Sequence, residues 1–182
     1  MTSATCDSPA DPYAAYMQVT PRTWNPTALG DTVRFTAVAQ TGLHREIPDF
    51  PVTWSSDAPG IVFVGTDGSA VAHESGVTQV HATVGEVTGT ATVSVIQIIE
   101  SVEILTYFGN TVAAGDSIWL TVDARDRNHF SVPGAAFSLQ SLNPSVATIT
   151  LTGWVRGVSS GEANIVAMAE GKADTALVQV HP

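Results

Sequence analysis

Thr90-Ala91-Thr92-Val93-Ser94-Val95 alternates polar and apolar side chains, and 85 positions later Thr175-Ala176-Leu177-Val178-Gln179-Val180 does so again. A period of two is the side-chain repeat of a β-strand with one face in a core. Working outward from that pair, Met17–Val95 lies on Val102–Val180 without a gap, giving 79 aligned pairs of which 18 are identical. Gly30-Asp31 repeats as Gly115-Asp116, Pro48 as Pro133, Pro59 as Pro144, Gly68 as Gly153 and Ser75-Gly76 as Ser160-Gly161. Turn residues and alternating apolar residues persist while the positions between them drift, which is the mark of a duplicated small domain.

Strand signals recur at intervals of about 8–12 residues with turn residues between them. Val33, Phe35, Ala37 and Ala39 answer to Ile118, Leu120, Val122 and Ala124. Val52 and Trp54 answer to Phe137 and Leu139, and Val80, Ala82 and Val84 to Ile165, Ala167 and Ala169. No stretch sustains a helical period. The expected fold is all-β: two tandem sandwiches, residues 17–96 and 102–182, preceded by an extended N-terminal arm over residues 1–16. Residues 97–101 are read as a short stiff linker, because Ile96-Gln97-Ile98-Ile99-Glu100-Ser101 has no Gly or Pro and strong strand preference.

Composition narrows the function. Seven Lys and Arg against 17 Asp and Glu leave a net charge of -10, which argues against a nucleic-acid partner. No run approaches the roughly 18–20 apolar residues of a membrane span, and the N-terminus has no basic-then-apolar signal segment. Cys6 is the single cysteine, so no internal disulfide forms. Ser3-Ala4-Thr5-Cys6 loosely resembles a bacterial lipoprotein processing site; we read Cys6 as an unpaired leader cysteine, with a lipid anchor as the alternative.

Each repeat resembles a bacterial immunoglobulin-like domain of group 2, the type found in intimin- and invasin-like adhesins. The residues that carry the resemblance are Gly30-Asp31-Thr32-Val33, Val52-Thr53-Trp54-Ser55-Ser56-Asp57, Gly68-Ser69-Ala70-Val71-Ala72, Ser75-Gly76-Val77-Thr78-Gln79-Val80 and Thr90–Val95. The second copy has Leu139 where the family favours Trp, and keeps Asn143-Pro144-Ser145-Val146-Ala147-Thr148-Ile149 better than the first. The resemblance implies an Ig-like sandwich on a bacterial exterior or virion, and leaves open stalk, spacer and adhesin roles.

Chemical motifs are few. Gly157-Val158-Ser159-Ser160-Gly161 satisfies G-x-S-x-G, but the nucleophile elbow needs a strand, a strained turn and a helix, and here strands flank it. His44, His73, His81, His129 and His181 form no metal pair, and His44 and His129 share one repeat position in a loop. Asp123-Ala124-Arg125-Asp126-Arg127-Asn128 invites a calcium reading, yet it lacks the turn glycine and closing glutamate and reads as a self-paired surface loop. The expectation is a non-enzymatic protein without a metal or cofactor.

Several of the differences between the two copies run in one direction. Thr20 becomes Leu105, Arg34 becomes Trp119, Asp57 becomes Leu142, Thr66 becomes Leu151 and Ser69 becomes Trp154. His81 becomes Val166, Thr83 becomes Met168 and Thr92 becomes Leu177. Alternation turns most of these outward. Trp119 and Trp154 are expected on one sheet's outer face, and Val166, Met168 and Leu177 on the other's. Exposed apolar surface of this kind marks contact sites. The expected function is therefore a self-associating subunit of a bacterial cell-surface assembly or filament, joined through the second domain and the N-terminal arm. The alternatives are a module binding surface glycan or a protein receptor through Trp119, Trp154, Tyr107 and Phe108, and a passive spacer or virion decoration.

Overall fold

The computed structural model describes residues 14–107 and 109–182, so Cys6, nearly all of the arm and Phe108 lie outside the described residues. The chain divides into two compact units, Met1–Ile96 and Gln97–Pro182. The described residues form strands and turns with no helix.

In the first unit the strands are β1 (Tyr16–Thr20), β2 (Thr23–Trp24), β3 (Thr32–Arg34), β4 (Thr36–Gln40), β5 (Glu46–Ile47), β6 (Thr53–Ser56), β7 (Val62–Val64), β8 (Ser69–Ala72), β9 (Gly76–Val84) and β10 (Val87–Val95). They pair as β1-β4-β5, β2-β10-β9-β6 and β3-β8-β7. The second unit comprises β11 (Ser101–Leu105), β12 (Thr111–Ala113), β13 (Ser117–Trp119), β14 (Thr121–Arg125), β15 (Ser138–Ser141), β16 (Ala147–Ile149), β17 (Trp154–Gly157), β18 (Gly161–Ala169) and β19 (Lys172–His181). These pair as β11-β14, β12-β19-β18-β15 and β13-β17-β16.

Outside the short parallel strands β2 and β12, register is reproduced residue for residue at the offset of 85. Val33 faces Ala70 as Ile118 faces Val155. Trp54 faces Ala82 as Leu139 faces Ala167, and Val80 faces Ala91 as Ile165 faces Ala176. Turn bonds follow suit: Gly30 N–H donates to Ala72 O and Gly115 N–H to Gly157 O. Gly68 and Gly153 explain why a glycine persists. Both adopt a left-handed backbone, at φ +82° and +89°, and a β-carbon there would strike the carbonyl oxygen of Phe35 or Leu120.

The apolar run over 33–39 is divided rather than continuous. Phe35 and Leu120 leave the ladder, each donating its N–H to the turn glycine, Gly68 or Gly153, so that β3 and β13 join one sheet while β4 and β14 join another. One alternating stretch thus serves both layers, and the side chain at the crossing is buried in each core, Phe35 at 1% and Leu120 at 2% exposure. Around them gather Val62, Val80, Val93 and Val95 in the first unit and Val155, Ile165, Val178 and Val180 in the second.

The expectation of strand across 96–101 is corrected. Only Ser101 lies in a strand. Ile96 donates its N–H to Pro26 O and Glu100 donates to Arg125 O, so the segment's hydrogen bonds go to separate partners and no ladder forms. Gln97–Glu100 fastens to the second unit: Ile99 enters its core, the Gln97 amide bonds Asp126 and Ser131 O, and Glu100 pairs with Lys172 at 3.1 Å.

Candidate functional site

Two outer faces of the second unit hold the residues singled out from sequence. The first lies on β15, β18 and β19. Its rows are Leu142–Asn164–Leu177, Gln140–Val166–Thr175 and Ser138–Met168–Ala173, set by strand register and by the Leu142 N–H to Asn164 O bond. The first unit holds the same grid as Asp57–Gln79–Thr92, Ser55–His81–Thr90 and Thr53–Thr83–Thr88. There the polar groups satisfy one another: His81 Nε2 meets Asp57 Oδ1 at 2.9 Å, His81 Nδ1 meets Thr90 Oγ1 at 3.3 Å, and the Thr83 and Thr88 hydroxyls lie 3.1 Å apart. In the second unit Leu142 and Val166 replace the Asp–His pair together, while Met168 and Leu177 replace two threonines. Leu142, Met168 and Leu177 are exposed and Val166 half-buried.

The second face lies on β13, β17 and β16. Trp119 stands directly opposite Trp154, and Arg156 stands between Ser117 and Thr148. Both indoles are exposed, at 42% and 52%. Trp119 is nonetheless held in place: its Nε1–H donates to Thr152 O at 2.9 Å, and its ring lines the space beside Gly153, with Nε1 3.1 Å from where a β-carbon would sit. The turn beneath Trp154 is knit by the Trp154 N–H to Thr150 Oγ1 bond and by the Thr150–Thr152 hydroxyl contact at 2.9 Å. The first unit places Arg34 and Ser69 at the two indole positions, with Arg34 4.0 Å from Asp67. Asp67 accepts from the hydroxyl and N–H of Ser69; these bonds, with Arg34 nearby, hold its carboxyl below the ordinary range.

The sequence had thus placed Trp119 and Trp154 on one sheet and Val166, Met168 and Leu177 on the other, and the structure puts them there, outward on both. It brings Leu142 into the second group, a residue whose partnership with Val166 shows only once the register is known. Among the described residues, ten of the fifteen exposed large apolar side chains fall in the second unit. Tyr107 is exposed at 73%, outside any strand.

The remaining motifs are structural. Ser159 sits in the turn between β17 and β18 and donates its hydroxyl to Ser145 O at 2.7 Å. His44 and His129 are left-handed turn residues at φ 58° and 66°, a conformation His tolerates better than most side chains. Asp126 is no surface residue: it is 1% exposed, its Oδ1 accepting the N–H groups of Asn128 and Phe130 and its Oδ2 the Gln97 amide. Thr41 does the same task in the first unit, accepting the Arg45 N–H. Arg125 bridges Asp123 and Glu103, so the loop is self-paired as expected but around a buried centre. Among the described residues no three His, Cys, Asp or Glu side chains converge as metal ligands.

Residues 105–180 match the family model of the bacterial Ig-like domain, group 2. The match covers most of the second repeat and less than half of the chain. No curated protein sequence matches the chain. Among solved structures, the chain is similar to domains 4 and 5 of the S-layer protein SbsC, with 20% identity, 93% of this chain and 99% of that one covered, and a TM-score of 0.45. It is also similar to the Escherichia coli adhesin FdeC (18%, 91% and 62%, 0.49) and to the Yersinia pseudotuberculosis adhesin InvE (15%, 91% and 58%, 0.43). The matched domain and the first unit pair their longer strands in the same order and, apart from β2 and β12, in the same register.

Proposed function

We propose that this chain is a non-enzymatic structural or adhesive protein of a bacterial exterior, and that copies of it associate through the outer face of β15, β18 and β19. The observation behind this reading is the concerted exchange on one grid: a hydrogen-bonded Asp57–His81 pair and two threonines in one unit, Leu142, Val166, Met168 and Leu177 in the other. Drift at single positions scatters apolar residues; four on one face form a contact surface. Such a contact builds rings or filaments according to whether its rotation closes.

Sedimentation velocity across a concentration series tests this. Wild type should form concentration-dependent assemblies, and L142D/V166H/M168T/L177T, which installs residues the same fold already carries, should stay monomeric. A wild type that remains monomeric at the highest attainable concentration overturns the proposal.

The second reading, recognition of a surface glycan, is favoured by a different observation, the opposed indoles Trp119 and Trp154 on the other sheet.

A further inference from the structure

The outer face of β13, β17 and β16 carries Trp119, Trp154, Arg156 and Thr148 where its counterpart has Arg34, Ser69, Val71 and Phe63, while Ser117 keeps the hydroxyl of Thr32. Two indoles stand side by side on adjacent strands, roughly 5 Å apart in backbone spacing. An arginine follows on the same face, since Trp154 and Arg156 are separated by one inward residue, Val155. Hydroxyl side chains flank that arginine on both neighbouring strands, Ser117 on one side and Thr148 on the other.

Arg156, like the exposed Arg22 and Arg45, has no ion pair among the described residues, and it shares its face with two indoles. Arg34 has Asp67, Arg125 has Asp123 and Glu103, and Lys172 has Glu100. Arg156 is exposed and faces only Ser117 and Thr148 across the ladder. On a chain of net charge -10, an exposed guanidinium left without an acid is a binding group for a carboxylate supplied from outside. The neighbouring groups say what carries that carboxylate. Flat, exposed indoles offer C–H-rich faces a surface to stack on, and hydroxyls offer donors and acceptors for other hydroxyls. A pyranose ring bearing a carboxylate presents all three features within one small molecule.

We infer that this face binds a carboxylate-bearing sugar, with the ring stacked on Trp154 beside Trp119, its carboxylate on Arg156 and its hydroxyls on Ser117 and Thr148. Trp119 is suited to the task because its ring is already fixed by the bond to Thr152 O and by Gly153, so little freedom is lost on binding. The face is distinct from the assembly face on β15, β18 and β19, and the inference does not depend on assembly.

The test uses the full chain carrying M168T/L177T, so that self-association does not obscure the signal, titrated by NMR and tryptophan fluorescence. Oligogalacturonates supply a uronate, sialyl-lactose supplies a carboxylate on a different ring, and cello-oligosaccharides serve as the neutral control. At least one acidic saccharide should bind, and the preference between the two acids identifies the source. W154S, which installs the first unit's residue, should weaken binding by about tenfold or more. R156Q should bring acidic and neutral sugars to equal affinity. Binding of neither acid, or acid binding unchanged by both variants, overturns the inference; neutral and acidic sugars bound equally by wild type removes the assigned role of Arg156 and with it the proposal.

Discussion

Removing the Asp126 carboxylate should loosen the second unit severely while sparing the first. The side chain is 1% exposed, and its oxygens accept the Asn128 and Phe130 N–H groups and the Gln97 amide, all at 3.0 Å. Hydrogen bonds to a charged group contribute about 1.5–3 kcal/mol each, and a donor stranded out of water costs about 1–3 kcal/mol. The bonds are coupled through one group and do not add fully, so D126A should cost about 3–4 kcal/mol in all. A domain of this size has only about 5–10 kcal/mol of stability to lose. D126N keeps Oδ1 for the two main-chain donors but turns an N–H toward the Gln97 amide, a donor against a donor, and should cost about 1–2 kcal/mol. Q97A should fall below both. Hydrogen exchange followed by mass spectrometry reads each unit separately. Since 1.4 kcal/mol is a decade, D126A should accelerate exchange of the β17–β19 core amides by at least about a hundredfold with β8–β10 unchanged. Equal acceleration in both units, or a D126A chain as protected as wild type, would refute the assignment of this loop as a buried anchor.

G153A should destabilise the second unit by about 2 kcal/mol or more, because the added methyl meets Leu120 O in a backbone conformation that suits glycine; thermal denaturation checks it, and a variant within error of wild type contradicts the turn geometry. Glu170 and Gly171 close the β18–β19 hairpin with φ of 46° and 80°, a two-residue loop that favours Asn or Gly at its first position, as Gly85 provides in the first unit. E170N should therefore stabilise by about 0.5–1 kcal/mol, read as a higher denaturation midpoint. Asp67 has its carboxyl held below the usual range by Ser69 and then Arg34, so its contribution is present above the ordinary carboxylate value and is lost as pH falls through the lowered one. The first unit's melting temperature should drop less steeply below about pH 4 in D67N than in wild type, and parallel curves would dismiss the contribution.

Much of the fold could be read from the chain because the two copies constrain each other. Gly68 and Gly153 share a left-handed turn, and the alternation at Val80–Val84 and Ile165–Ala169 survives as buried inward positions. Periodicity fails where the backbone changes partner without changing pattern. Phe35 and Leu120 continue the alternation while crossing between sheets, and Ile96–Glu100 has strand composition with no strand to pair with. Asp126 escaped for another reason: its burial depends on Gln97, 29 positions earlier, and spacing within a loop carries no trace of that contact. On the outer faces, alternation alone located Val166, Met168 and Leu177. Linking Leu142 to Val166 required knowing that their two cross-strand rows are neighbours.

The placement of tryptophan decides which surface residue is the more informative to alter. In the first unit Trp24 and Trp54 flank Phe35, with ring centroids 6.3 and 6.1 Å away, so both indoles help build the core. The corresponding residues in the second unit are Gly109, Leu120 and Leu139, and its core closes without an indole. The ring beside the turn glycine also changes origin: Trp54 lies against Gly68, while Trp119, from a different strand, lies against Gly153. Trp119 therefore keeps part of a structural duty that Leu139 does not fulfil, and changing it confounds loss of contact with loss of turn support. Trp154 carries no such duty. It takes the place of Ser69 at an exposed position of the same ladder, its main chain is held by Thr150, and its ring is 52% exposed. W154S, which installs the residue the first unit already carries there, therefore separates binding from folding better than any change at Trp119.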